Sequence, residues 1–315
     1  MRLHLFDTSN YIYAGTYTNQ YISRGVYQSN GQFKPKAMPV GGIKFLLREI
    51  TKWTSDEDIV MPIFESAPTV KRQMYGMMTG DMYGYKGTRH NDGKKYDIDI
   101  QRKYGKDILD SIGFVTQYAE GYEADDLIYT LTKLLKDDFE SICIHTRDSD
   151  LSFLVDDKVS IFPVGQKGKY ITKDNYEQVV TTGRITKYNT VHIEKLCDGD
   201  KSDNIPGIGN VWKDIIYSNI KENEYQQLGD LDFLRKKLKD IIISNPTVAG
   251  GEKILSTLNL VCPLNVPLEN INDNEQMIDV ESCKYFLFDW DKRFDYHNYE
   301  EQLRDYIDMY IEEVS

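Results

Sequence analysis

An α/β fold with a central, mostly parallel sheet flanked by helices is predicted by three observations. Short apolar runs, Leu3 to Phe6, Ile59 to Phe64 and Ser141 to His145, alternate with segments of helical spacing. Strands apolar throughout suit a sheet covered on both faces. An acid sits at or just after the end of each run (Asp7, Glu65, Asp148), and in such sheets ligands bind beyond the carboxyl ends of the strands. With 315 residues, 40% apolar and 12% aromatic, the chain can bury a substantial core.

Taken in order, Leu3-His4-Leu5-Phe6 reads as a buried strand closing on Asp7, and Ile43 to Trp53 has helical periodicity. A second strand, Ile59 to Phe64, leads into Glu65. Gly121-Tyr122-Glu123-Ala124-Asp125-Asp126 opens a helix whose apolar stripe is Leu127, Ile128, Leu131, Leu134 and Leu135. The helix dipole favours acids in a first turn, but capping needs one acid and three are present. After the third strand, Asp148 and Asp150 fit either N-caps ahead of Leu151 to Val155 or members of a site. Asp200 and Asp203 follow in Gly199-Asp200-Lys201-Ser202-Asp203-Asn204. Carboxylates brought together resist ionising, so a fold that gathers these must supply cations. A divalent-metal site is the expectation.

Several classes are excluded. Neither Asp148-Ser149-Asp150 nor Asp198-Gly199-Asp200 continues into a calcium-loop pattern, and Gly207-Ile208-Gly209 lacks the strand and third glycine of a dinucleotide fingerprint. No apolar run approaches the roughly 20 residues of a membrane helix, and the first strand is too short and too soon acidic for a signal peptide. Cys143, Cys197, Cys262 and Cys283 show no paired spacing, which predicts reduced core thiols in a cytoplasmic protein, with neither a disulfide framework nor a zinc site. The net charge of -12 argues against nucleic acid, but its distribution does not. Lys86, Arg89, Lys94, Lys95, Arg102, Lys103 and Lys106 cluster, with Arg72 upstream and an acidic stretch after Asp273. The cluster reads as a phosphate-binding patch or as a solvated face.

Five segments in order carry a resemblance. Asp7, Tyr85-Lys86-Gly87-Thr88-Arg89, Gly121 to Asp126, Asp148-Ser149-Asp150 and Gly199-Asp200-Lys201-Ser202-Asp203-Asn204-Ile205-Pro206-Gly207-Ile208-Gly209 resemble the 5′-nuclease family of flap endonucleases, 5′→3′ exonucleases and phage ribonuclease H, over about residues 1 to 215. The resemblance implies a PIN-like core over 1–185, with a helical arch near 70–110. A helical region over 186–315 would hold a helix-three-turn-helix near 197–222. It also implies two magnesium ions, with manganese as an alternative. Asp7, Glu65, Glu123, Asp125 and Asp148 would serve one ion and Asp148, Asp150 and Asp200 the other, with Asp126 and Asp203 in the outer shell. Asp148, Asp150, Lys86 and Arg89 would be the catalytic groups. Arg72, Lys86, Arg89, Lys94, Lys95, Gly207, Gly209 and Lys213 would bind nucleic acid, and a potassium ion at the glycine turn would complete the grip.

Three departures stand out. Glu65 occupies a position usually held by Asp. Gly209 is followed by Asn210-Val211-Trp212-Lys213 without the lysine usual two places on. The chain beyond about residue 225, including Phe286-Leu287-Phe288-Asp289-Trp290, matches no motif, and core packing is its default reading. The expected protein is a stand-alone, phage-type 5′ nuclease, monomeric and cytoplasmic in an infected host cell. It would act on flaps, nicks or RNA primers in branched or nicked DNA and RNA:DNA hybrids during replication, with docking to replication proteins as an extension. A PIN-type single-strand RNase and a catalytically degenerate DNA-binding replisome subunit are the alternatives.

Overall fold

Four parallel strands organise the computed structural model, which describes residues 1–18, 21–27, 33–55, 57–88, 93–111, 114, 116–164, 170–175 and 190–272. In chain order the first half runs β1 (Arg2–Asp7), α1 (Thr8–Thr16), β2 (Tyr21–Tyr27), β3 (Phe33–Pro39), α2 (Gly41–Trp53), β4 (Ile59–Ile63), α3 (Thr69–Thr79) and α4 (Lys95–Ser111). Then come α5 (Ala124–Leu135), β5 (Ser141–His145), a 3₁₀ turn (Ser149–Leu154) and β6 (Val159–Phe162). The main sheet has the order β4-β1-β5-β6, all parallel. The expected sheet is therefore present, with its strands within a residue or so of the apolar runs.

Two differences have physical causes. The helix expected from Ile43 starts at Gly41, where glycines allow α1 and α2 to touch. A Cβ on Gly15 would lie 2.4 Å from the Gly41 carbonyl oxygen and 2.6 Å from the Gly42 Cα. The antiparallel hairpin β2–β3 was not expected, because its polar, mixed sequence has no apolar run.

Alternation along β1 sorts its side chains between two cores. Leu3 and Leu5 join Ile59, Met61, Ile142 and Ile144 under the α5 stripe. Phe6 faces the other way, among Tyr11, Ile12, Ile43, Leu46, Leu47 and Ile50 of α1 and α2. Each of these fully buried Leu or Ile side chains contributes roughly 1.5–3 kcal/mol of transfer free energy. Of the basic segment, α4 lies along α1 and α2. It buries Ile98, Ile108 and Leu109 and ties Gln101 to the Gly42 N–H at 2.7 Å.

The second half of the described chain is helical: α6 (Val191–Asp198), the two-residue pair β7 (Gly199–Asp200) and β8 (Ile205–Pro206), α7 (Asn210–Asn219), α8 (Leu231–Ser244) and α9 (Gly251–Val261). Its apolar residues, including Leu196, Trp212, Ile216, Leu234 and Leu258, form one continuous cluster with Leu3 and Leu5. Backbone bonds reinforce the junction. The Leu264 N–H donates to Asp126 at 2.7 Å and the Val266 N–H to Thr130 at 2.9 Å. Cys143, Cys197 and Cys262 are buried and free, as expected. Arg89, Cys283 and the Phe286 to Trp290 stretch lie outside the described residues.

Candidate active site

Parallel register delivers the acids to one edge of the sheet. Asp7 aligns with Ile63, and Phe6 aligns with His145. Asp7, Glu65 and Asp148 therefore leave neighbouring strands at the same end. Asp7 caps α1 and accepts a hydrogen bond from the Thr146 hydroxyl at 2.9 Å and another from the Asn10 amide. Asp148 caps the 3₁₀ turn, accepting from the Asp150 N–H at 2.9 Å.

Opposite these, the start of α5 divides its labour. Asp126 is fully buried and does the capping, accepting from the Glu123 N–H at 3.1 Å. Its other oxygen takes the Leu264 N–H and lies 3.0 Å from the Lys71 ammonium. Glu123 shares in this reciprocal capping box and also faces the site, where Lys71 and the Tyr85 hydroxyl donate to it at 2.8 and 2.9 Å and Lys86 forms a further ion pair. Burial opposes its ionisation, but Lys71 and Lys86 hold its pKa far below the usual carboxylate range. Lys86 also lies 3.8 Å from Asp203.

Asp150 and Asp200 flank Lys195, which pairs with both, at 2.6 Å to Asp200. Ser202 donates its N–H to Asp200 at 2.8 Å. Burial raises Asp200, and bonds from Lys195 and Ser202 outweigh it, so its pKa falls. Asp150 is pushed up to about 7, by burial first and then by Asp148, despite Lys195. Glu65 is held by Arg102 at 2.9 Å and by Ser9 at 3.2 Å.

Three acids have no ion pair within 4 Å among the described residues, Asp7, Asp125 and Asp148, although the Lys86 charge partly offsets Asp125. Burial, then Asp148 and Glu65, push Asp7 up to about 6 against the Thr146 bond. Burial, Asp148 and Asp7 push Asp125 well above its ordinary value. No three of the described carboxylates bring oxygens within 4.8 Å of one another. The acids gathered at this edge offer hard oxygen donors, the ligand type that divalent ions such as magnesium take.

A pH dependence follows from the sign of these shifts. Asp7, Asp125 and Asp150 hold protons more tightly folded than unfolded, so folding is favoured by their protonation and loses that contribution as pH rises. In the metal-free protein that contribution should be lost from about pH 4 through about pH 7, the value to which Asp150 is raised. Buried His4, His145 and His192, all lowered by desolvation, contribute stability that grows as pH rises toward about 6.5, so the acid contribution is read from the difference between wild type and Asp7→Asn. Asn at Asp7 should flatten that loss. Unfolding midpoints measured in chelator at pH 5 and pH 8 check both outcomes.

The expected nucleic-acid residues separate into groups. Gly207 packs so closely that a Cβ would lie 2.4 Å from the Cys197 carbonyl oxygen, and Gly209, at φ +86°, opens α7. Lys213 pairs with Asp198 across the hairpin. Arg72 buries an Nε without a hydrogen-bond partner among the described residues. Lys94 lies 3.5 Å from Asp97 and Lys106 lies 2.6 Å from Asp110, so nearby acids offset part of the basic cluster. Lys95 is exposed.

Sequence reasoning missed Lys71, Lys195, Thr146 and Asn10. Lys71 had one signal, its position four residues before the buried Tyr75 on the same face of α3.

A family model for the 5′-3′ exonuclease N-terminal resolvase-like domain matches residues 2–182. The chain belongs to this 5′-3′ exonuclease family. A 5′-3′ exonuclease of Mycoplasmopsis pulmonis is 29% identical over 212 residues, covering 62% of this chain and 68% of that protein. DNA polymerase I of Caldicellulosiruptor bescii is 29% identical over 183 residues, covering 56% of this chain and 21% of the polymerase. This chain thus spans about a fifth of that relative's length. Among solved structures, the T5 D15 protein co-crystallised with metal ions is similar with a TM-score of 0.49 at 17% identity, covering 94% of this chain and 100% of that one. Among the described residues no helix is long and apolar enough to cross a membrane.

Proposed function

We propose that this member of the 5′-3′ exonuclease family is a structure-specific 5′ nuclease. It hydrolyses phosphodiesters at 5′ flaps, nicks or RNA primers during DNA replication with two magnesium ions, which manganese can replace. The observation that carries the reading is the set of acids with no ion pair among the described residues, Asp7, Asp125 and Asp148, beside acids that already have lysines or an arginine. A partly buried negative bed of oxygen donors at the carboxyl ends of parallel strands fits hard divalent cations. Asp7, Glu65, Glu123, Asp125 and Asp148 would hold one ion and Asp148, Asp150 and Asp200 the other, and such ions would supply a more acidic water and neutralisation of the scissile phosphate.

The chain's own groups do the rest. Thr146 and Asn10 fix the Asp7 carboxylate, and Asp126 anchors the turn from which Glu123 projects. Lys86 leaves Glu123 to meet a phosphate, and Arg89 belongs to the same motif. The tight turn at Gly207 and Gly209 lets backbone approach the duplex, the natural seat for a potassium ion. Arg72, Lys94, Lys95 and Lys213 add sequence-independent phosphate contacts. Branched DNA and RNA:DNA hybrids are the proposed substrates, replication proteins the proposed partners, and a monomer the proposed working form.

Incubating the protein with 5′-labelled flap, nicked and RNA-primed duplexes, with and without magnesium, tests the reading. Magnesium-dependent release of 5′-phosphorylated products is expected, and intact substrates throughout would overturn it. Lys86→Ala should lower turnover at saturating substrate by roughly 100-fold to 1,000-fold, the range for lost electrostatic stabilisation. Lys95→Ala should change turnover little. Equal losses in the two variants would reduce Lys86 to a binding residue.

A further inference from the structure

The sheet itself holds a second constellation, apart from the acids. His4 of β1 is in register with Cys143 of β5, and Phe6 with His145, so alternation places His4, Cys143 and His145 on one face of adjacent strands. Both histidines are fully buried and Cys143 is 5% exposed. Their ligand atoms lie within 4.8 Å of one another, the one such group among the described residues. His4 Nδ1 is 2.9 Å from His145 Nε2, and His145 stacks on Phe6 at 3.8 Å.

Polar satisfaction is incomplete around this group. Neither His4 Nε2 nor His145 Nδ1 has a hydrogen-bond partner among the described residues, although buried polar groups are as a rule paired. His4 Nε2 lies 3.6 Å from Asp58, a buried carboxylate gripped by Arg2 at 2.7 and 2.8 Å. The carboxylate draws the imidazole proton to Nε2 and leaves the Nδ1 lone pair aimed at His145.

We infer that His4, Cys143 and His145 form a binding site for a thiophilic divalent transition metal of the zinc class, separate from the oxygen-lined site. Two imidazoles and a thiolate are a donor set for zinc or cobalt, which magnesium disfavours. Asp58 behind His4 supplies the carboxylate–histidine–metal arrangement that orients such ligands. One thiolate offsets half of a dication's charge, and Asp58, already paired with Arg2, adds an orienting carboxylate behind His4. Burial keeps both imidazoles neutral, as ligation requires. It also pushes the thiol up to about 12, so binding displaces the Cys143 proton to solvent. With its ligands buried, the site loads as the chain folds, cross-tying β1 to β5.

Refolding the full chain with Co²⁺ alone tests this. The expected result is a near-ultraviolet thiolate-to-cobalt charge-transfer band, which oxygen ligands cannot give, with ligand-field bands of tetrahedral intensity. Cys143→Ser and Cys143→Ala should lose the charge-transfer band, while Cys283→Ser keeps it. Asp58→Asn should weaken cobalt binding by roughly 10-fold to 100-fold. Zinc should raise the unfolding midpoint of wild type and of Asp148→Asn alike. Absence of the band from wild-type protein, or a band surviving in a folded Cys143 variant, would overturn the site and leave a hydrogen-bonded histidine pair beside an inert thiol.

Discussion

Asp148→Asn is expected to abolish magnesium-dependent cleavage, with turnover falling by at least about 1,000-fold, or ~4 kcal/mol of transition-state stabilisation. Asp148 acts on Asp7, Asp125 and Asp150 simultaneously, raising the pKa of each. It therefore lies between the two groups of acids. Neutralising it removes a ligand common to both proposed ions and reduces repulsion of an incoming phosphate. Substrate binding, measured by anisotropy in calcium or chelator, should be unchanged or tighter. Wild-type turnover in this variant would sink the two-ion assignment.

Lys71→Met should cost the most in stability. The Lys71 side chain is 6% exposed and its ammonium sits 2.8 Å from Glu123 and 3.0 Å from Asp126, themselves 4% and 0% exposed. Removing the cation strands buried negative charge, a change that costs about 3–5 kcal/mol. The unfolding midpoint should fall by roughly 10 °C, scaled from domains of somewhat smaller size. Adding Asp126→Asn should restore part of the loss, because the two positions are coupled. Lys95→Met, on an exposed position, is the control. A midpoint within about 1 °C of wild type for Lys71→Met would show that Lys86 and Tyr85 suffice to hold Glu123.

The sheet was legible because its strands are apolar on both faces, and the acids because they follow those strands directly. Asp7, Asp148 and the α5 opening needed only local reading. What remained hidden was compensation. Lys71 and Lys195 look like surface lysines in one dimension, and only packing brings them against Glu123, Asp126, Asp150 and Asp200. The basic cluster hid its partners in the same way. Its charges read as a patch, yet Lys106 and Arg102 are engaged by Asp110 and Glu65. The His4, Cys143 and His145 group was likewise invisible to cysteine spacing, a criterion blind to side chains that come together from two strands. The β2–β3 hairpin had no periodic signal at all.

One junction links grip to chemistry. The Lys86 N–H donates to the Asp203 carbonyl at 2.9 Å, Asn204 donates its side-chain amide to the Gly84 carbonyl at 3.0 Å, and the Tyr75 hydroxyl donates to the Asn204 carbonyl at 2.8 Å. Lys86 and Asn204 both adopt positive φ, 57° and 62°, a conformation that non-glycine residues hold only when their surroundings enforce it. The loop bearing the proposed catalytic ammonium and the turn proposed to hold the duplex are therefore one mechanical piece. A duplex seated out of register at the turn would drag the ammonium off the scissile phosphate. For the proposed nuclease, discrimination against misfitting junctions should then emerge in kcat, with KM nearly constant.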